Sequence, residues 1–225
     1  MGDDGSDNDD GGLESIRRSF DSIADAYARQ FQDELGRKPY DRAILEEFAA
    51  SLPAGAPVLD LGCGAGGHVG RFVHDRGPSV TGVDFSEASI EIARGLNPGM
   101  SFVVADFRAM PFGDASVDGI VAFYCLIYGG DEDVVGALRE CRRVLRPGGR
   151  LLAAVHGAID GTARESRFDD FFGTPIDISM RETTPALFAG LAERAELRVD
   201  ELRARDPYPE EHATSRIYLS ASRPS

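Results

Sequence analysis

Cysteine is scarce in this chain, and its pattern mainly excludes. Cys63, Cys125 and Cys141 are odd in number, far apart and free of C-x-x-C spacing, so neither a disulfide framework nor a zinc site is expected, and a reducing cytoplasm fits. Clustered bases are missing as well. The sequence sets 24 Lys and Arg against 38 Asp and Glu, a formal net charge of -14. A phosphate backbone is bound by basic clusters, so nucleic acid is not an expected partner. No apolar run reaches ~18 residues and the N-terminus is acidic, so neither a membrane span nor a secretory signal is expected. H-E-x-x-H, a Walker lysine and a Ser-His-Asp order are all absent. Zinc hydrolysis, phosphoryl transfer and triad chemistry therefore lack the residues they require.

What is present fits one α/β domain, because 225 residues are too few for two of ordinary size. The first dozen residues hold five aspartates and no base. They offer little apolar surface to bury, so Met1 to Gly12 is expected as a disordered acidic tail ahead of a single domain over 13–225. Leu13 to Gln32 carries Ile16, Phe20, Ile23, Ala24, Tyr27 and Phe31 at helical spacing, and Pro39 opens a second helix with Ile44, Leu45, Phe48 and Leu52 on one face. These two, within 13–53, are expected as lid helices.

The chain is organised around Val58-Leu59-Asp60-Leu61-Gly62-Cys63-Gly64-Ala65-Gly66-Gly67. The apolar run reads as a buried parallel strand, His68 to Asp75 as a helix, and the glycines as the turn between them, where an open α/β sheet takes its ligand. Spacing alone fits both G-x-G-x-x-G and G-x-G-x-G. Asp60 separates the two, because a carboxylate there repels a pyrophosphate and attracts an ammonium or sulfonium group. Ser79 to Val83 is the second strand and ends on Asp84, 18 residues past Gly66, where an acid can accept both hydroxyls of a ribose. Phe85 follows at the same edge, and Ser86 can cap the next helix. Met100 to Ala105 is the third strand, closed by Asp106 and Phe107. Val117 to Ile127 is the fourth and most apolar, with Phe123, Tyr124 and Tyr128 towards its ligand end. Arg150 to Val155 is the fifth, followed directly by His156, an imidazole able to act as a base near neutral pH. Residues 157–182 are expected as a substrate-covering loop with a short helix near Phe168 to Phe172, and Leu197 to Arg203 and Arg216 to Ala221 as the last strands.

With Asp60, Gly62, Gly64 and Gly66 as a first motif and Asp84 and Asp106 at the next strand ends, the sequence resembles the class I S-adenosylmethionine-dependent methyltransferases of the small-molecule type. Phe20-Asp21-Ser22-Ile23-Ala24-Asp25-Ala26-Tyr27 and Leu145-Arg146-Pro147-Gly148-Gly149 are further shared features. The resemblance implies a three-layer αβα Rossmann-like methyltransferase fold, with a seven-stranded, mostly parallel sheet and an antiparallel last strand. It implies S-adenosyl-L-methionine as cofactor and S-adenosyl-L-homocysteine as product, held by Tyr27, Asp60, Gly62, Cys63, Gly64, Gly66, Asp84, Phe85, Ser86, Asp106, Phe107 and Phe123. Tyr27 is implied over the sulfonium and Asp106 on the adenine amine. The expected reaction is methyl transfer to an oxygen or nitrogen of a small-molecule acceptor, with His156, Tyr27 and Tyr124 as catalytic candidates. No metal is expected, and the chain would act as a monomer or homodimer. Three alternatives stay open: a protein that binds the cofactor without transferring methyl, a cyclase on the same fold, and an NAD-dependent oxidoreductase.

Overall fold

The structure, a computed structural model, describes residues 10–225. Of the expected tail, Met1 to Asp9 lies outside the described residues, while Asp10 to Gly12 already belong to the first helix, α1 (Asp10–Phe31). A 3-10 turn (Glu34–Arg37) and α2 (Pro39–Ala50) deliver the chain to β1 (Pro57–Leu61). The chain then runs through α3 (His68–His74), β2 (Ser79–Asp84), α4 (Glu87–Leu96), β3 (Ser101–Val104), β4 (Val117–Phe123), which follows β3 without a helix, α5 (Asp131–Val144) and β5 (Leu145–Gly157). After β6 (Arg164–Phe171) and β7 (Thr174–Glu182) come α6 (Pro185–Arg194), β8 (Arg198–Arg205) and β9 (Ser215–Ser222). Local chemistry starts the helices. Ser86 caps α4 by accepting the Ser89 N–H at 3.0 Å, and Thr184 caps α6 by accepting that of Leu187 at 3.2 Å, with Pro185 next.

Seven strands pair in the order β3-β2-β1-β4-β5-β9-β8, and β9 runs antiparallel to both neighbours. The order reverses between β1 and β4, which opens a crevice at their C-terminal ends. Alternation along the strands divides the core in two. Leu59, Ile120, Leu151 and Ala153 join a cluster with Leu138 of α5 and Phe188 of α6; Val58, Val121, Leu152 and Ala154 join one with Phe48 of α2, Val73 of α3 and Ile90 of α4. Successive side chains leave opposite faces of a strand, so each central strand is covered twice and reads as a continuous apolar run.

Three expectations are corrected. Residues 157–182 form no loop with a helix; β6 and β7 make a two-stranded antiparallel hairpin that pairs Phe168 with Ile178 and Phe171 with Thr174. Phe172 and Gly173, at φ 48° and 84°, close it as a two-residue turn of the kind that matches strand twist. Strand β4 stops at Phe123, four residues early, because Tyr124 has φ 58°, outside any strand conformation. Strand β5 runs on to Gly157, so His156 lies inside it, opposite Arg216 of β9.

Helix α2 carries a buried acid across to the far strands. Asp41 has no exposed surface and accepts from Tyr124 Oη at 2.9 Å, Tyr218 Oη at 2.6 Å and Arg205 Nη2 at 3.0 Å. Arg205 also binds Glu211 at 2.6 Å, which in turn accepts the Tyr208 N–H at 2.8 Å. Asp41→Ala would leave two buried hydroxyls without their acceptor while Arg205 keeps Glu211, a loss of about 2–5 kcal/mol. The melting temperature should fall by on the order of 10 °C, and a fall of only a degree or two in a thermal melt would show that the network is dispensable.

Candidate active site

Left-handed glycines shape the turn after β1. Gly62 and Gly64 have φ of 60° and 59°, and a Cβ on Gly62 would stand 2.3 Å from that of Cys125. Only glycine fits there, and the bare backbone of both residues borders a cavity at the strand ends. Gly66 and Cys63 do not border it. The Gly66 carbonyl accepts from Asn97 Nδ2 at 2.9 Å, and Cys63 is buried, its sulfur 3.0 Å from a Cβ placed on Gly82 of β2.

The two acids at the first strand ends differ. Asp60, 1% exposed, accepts through Oδ2 the Gly70 N–H at 2.8 Å in the first turn of α3, and burial pushes its carboxyl up to about 7. It borders α3 rather than the cavity, so the expected contact with a ligand cation is not made directly. Its negative charge instead suits a helix start that no side chain on Gly67 can cap. Asp84 does border the cavity. Oδ2 accepts the Gly64 N–H and Oδ1 the Ser86 N–H, each at 2.9 Å, and burial pushes this carboxyl up to about 6. Each oxygen keeps one lone pair for a further donor.

The cavity encloses about 860 Å³ of empty space, counting its mouth. Phe85, Phe107 and Phe123 line it from the sheet edge, and Phe20 and Tyr27 of α1 roof it. Phe20 meets the Tyr128 ring edge-on at 5.6 Å, and Tyr27 stacks on Phe171 of the hairpin at 5.9 Å. Burial raises the hydroxyl pKa of Tyr27 and Tyr128 well above the usual tyrosine range, so both stay neutral. Ser86 is off the wall; its hydroxyl donates to Asp21 of α1 at 2.7 Å and so ties the lid to α4. Asp106 is on the wall, gripped by Arg108, whose Nη2 lies 2.7 Å from it while Nη1 reaches Asp133 of α5 at 2.9 Å. Sequence reasoning missed Arg108, Asp133, Leu126 and Leu13 as wall residues. Arg108 stands beside a recognised motif, but the other three come from different elements that only the fold brings together.

Beyond this wall stands a second group. The left-handed backbone at Tyr124 sends its hydroxyl to Asp41, while its ring borders the cavity. His156 does not border the cavity; its ring lies 5.2 Å from that of Tyr124, with Nδ1 2.7 Å from Thr214 Oγ1. Burial, then the Arg216 guanidinium, pulls the imidazole down to about 3, which corrects the expectation of a group titrating near neutrality. Two thiols complete the neighbourhood. Cys63 and Cys125 are 6% and 5% exposed, and burial drives both pKa values well above the ordinary thiol range.

Residues 58–149 match the family model described as a methyltransferase domain. Methyltransferase GfsG of Streptomyces halstedii is 40% identical over 121 residues, 50% of this chain and 43% of that protein. O-methyltransferase resE of Aspergillus sclerotiorum is 36% identical over 110 residues, 46% of this chain and 41% of that protein. The chain thus spans less than half the length of these curated relatives. In three dimensions it superimposes on Burkholderia thailandensis 1,6-didemethyltoxoflavin-N1-methyltransferase, solved with 1,6-didemethyltoxoflavin and S-adenosylhomocysteine, with a TM-score of 0.77 at 22% identity over 100% of this chain and 94% of that one. Residues 58–149 thus carry a methyltransferase-domain match, and the strand order with its single antiparallel strand and a glycine turn closed over an acid at the end of β2 agree with the class I S-adenosylmethionine-dependent methyltransferase fold.

Proposed function

We propose that the chain transfers a methyl group from S-adenosylmethionine to an oxygen or nitrogen of a small-molecule acceptor. The observation that carries this is Asp84: a buried carboxylate on the cavity wall, fixed by two N–H groups and joined to no cation among the described residues. Such a group suits a pair of hydroxyls, as a ribose offers, and opposes a phosphate. The fit extends to the rest of the wall. Phe85 and Phe107 suit the faces of a purine, Asp106 its amine once Arg108 swings to Asp133, and the bare Gly62–Gly64 backbone admits close approach.

S-adenosylmethionine, when bound, supplies a methyl on a cationic sulfur that leaves as a neutral thioether. The chain's part is mostly positional. Tyr27, Phe20 and Tyr128 present neutral aromatic surface, which attracts a cation by about 0.5–2 kcal/mol and excludes water. Tyr124, tethered to Asp41, limits where an acceptor can lie and holds it in line. An acceptor of small size is supported by the roof of α1 and the hairpin, which leaves no broad surface for a polymer. No described helix is long and apolar enough to cross a membrane.

Calorimetry should show S-adenosylhomocysteine binding and no NADH binding; the reverse would sink the reading. Asp84→Ala, folded by thermal melt, should bind at least about tenfold more weakly, through loss of charge-assisted bonds worth roughly 1.5–3 kcal/mol each. The pH sign follows from Asp84. Hydroxyl donors favour its ionised form, so affinity should be full above about pH 6 and decline as the pH falls through that value. Affinity that is level from pH 8 to below 5 would place the ribose elsewhere.

A further inference from the structure

The two ring nitrogens of His156 have different surroundings. Nδ1 stands 2.7 Å from Thr214 Oγ1. Thr214 is 1% exposed, and its hydroxyl oxygen already accepts a hydrogen bond from Arg216 Nη1 at 2.7 Å. A guanidinium donates and never accepts. The hydroxyl's own proton therefore has one acceptor within reach among the described residues, His156 Nδ1, and burying a hydroxyl proton without an acceptor is costly. Arg216 cannot easily turn away, being 2% exposed and also bonded through Nη1 to the Thr214 carbonyl at 2.5 Å. An Nδ1 that accepts leaves the ring proton on Nε2.

Nε2 makes no hydrogen bond to a described residue and is not among the sealed polar atoms, so it can meet a ligand. We propose that Thr214 and Arg216 lock His156 as the Nε2–H tautomer, so that it presents a hydrogen-bond donor, not a base, to an oxygen of the acceptor. The inference rests on the methyl-transfer reading for the place of the acceptor, which must reach past the Tyr124 ring, because the imidazole stands outside the cavity, 5.2 Å from that ring. Charged groups facing the ring from every side agree with a neutral donor. Arg216 of β9, Lys38 ahead of α2 and His212 of the β8–β9 loop oppose protonation, while the nearby carboxylates are engaged elsewhere: Glu211 by Arg205 at 2.6 Å, Glu34 by Lys38 at 2.8 Å and Asp41 by the Tyr124 hydroxyl at 2.9 Å. A neutral Nε2–H donor takes either a carbonyl or an ionised oxygen as its partner. The rings of Tyr124 and His212, 5.2 Å and 6.1 Å from the imidazole, with Phe168 5.8 Å from His212, suit a flat one. The substrate class is thus a planar acceptor carrying a carbonyl or ionised oxygen, whose nucleophile is acidic enough to give its proton to solvent without a protein base.

The test is a nitrogen–proton correlation spectrum of the full chain labelled at its four histidines, with the His156 signals identified by their loss in His156→Gln. The expected result is a proton on Nε2, none on Nδ1, and no titration from about pH 5 to about pH 8.5. Thr214→Val should free the tautomer, so that an Nδ1–H signal appears; should that variant fail to fold, the wild-type spectrum decides alone. Salicylate, a flat ring with an ionised carboxylate, should then move the Nε2–H proton signal of His156 and leave those of His68 and His74 in place. A proton on Nδ1, a titration within that range, or a His156 signal indifferent to salicylate overturns the proposal. None of these readings uses methyl transfer, so the tautomer can fail while S-adenosylhomocysteine binding stands, and the converse.

Discussion

Two main-chain N–H groups converge on the carboxylate of Asp84, and the architecture of the cavity depends on that convergence. One comes from Gly64 in the turn after β1, the other from Ser86 at the head of α4. A carboxylate buried at the end of a central strand would be costly if unsatisfied; with both oxygens engaged it clamps the glycine turn to the neighbouring strand and fixes where α4 begins. Ser86 extends the clamp to the lid by donating to Asp21. One acid thus ties β1, β2, α4 and α1 together and still faces the cavity.

The central parallel strands were legible because burial on both faces writes a mostly apolar run, and Gly62 directly after β1 and Asp84 at the end of β2 mark the ligand edge. The hairpin was not. Its strands carry Arg164, Glu165, Arg167 and Asp169 and stand outside the main sheet, so only β7 buries a face, and the alternation of Ile178 and Met180 is too short to announce itself. Tyr124 was placed at the right strand end, but its left-handed backbone follows from tertiary contacts that no local pattern encodes. The same holds for Asp41 and Arg205, 164 positions apart in sequence and 3.0 Å apart in space.

Asp60 shows how a correct motif can carry a different physical meaning. Its sign was read as an invitation to a ligand cation, yet it spends an oxygen on α3, a helix whose first residue follows a glycine in left-handed conformation. The charge acts on the site through the helix it starts. His156 was likewise placed at the correct edge, but the proton inventory around Thr214 gives its ring a different task from the one its residue type suggests.

The buried thiols have a consequence for durability. Any protein that holds an activated alkyl donor risks alkylating itself, and sulfur is the most nucleophilic atom it has to offer. Cys125 borders the cavity and Cys63 lies in the turn beside it. Only the thiolate attacks, and the surroundings that hold Asp84 and Asp60 also keep both sulfurs protonated. With the donor in this cavity, as proposed, the wall would offer it no thiolate, which would leave an incoming acceptor as the strongest nucleophile within reach and spare the catalyst from being consumed by its own reagent.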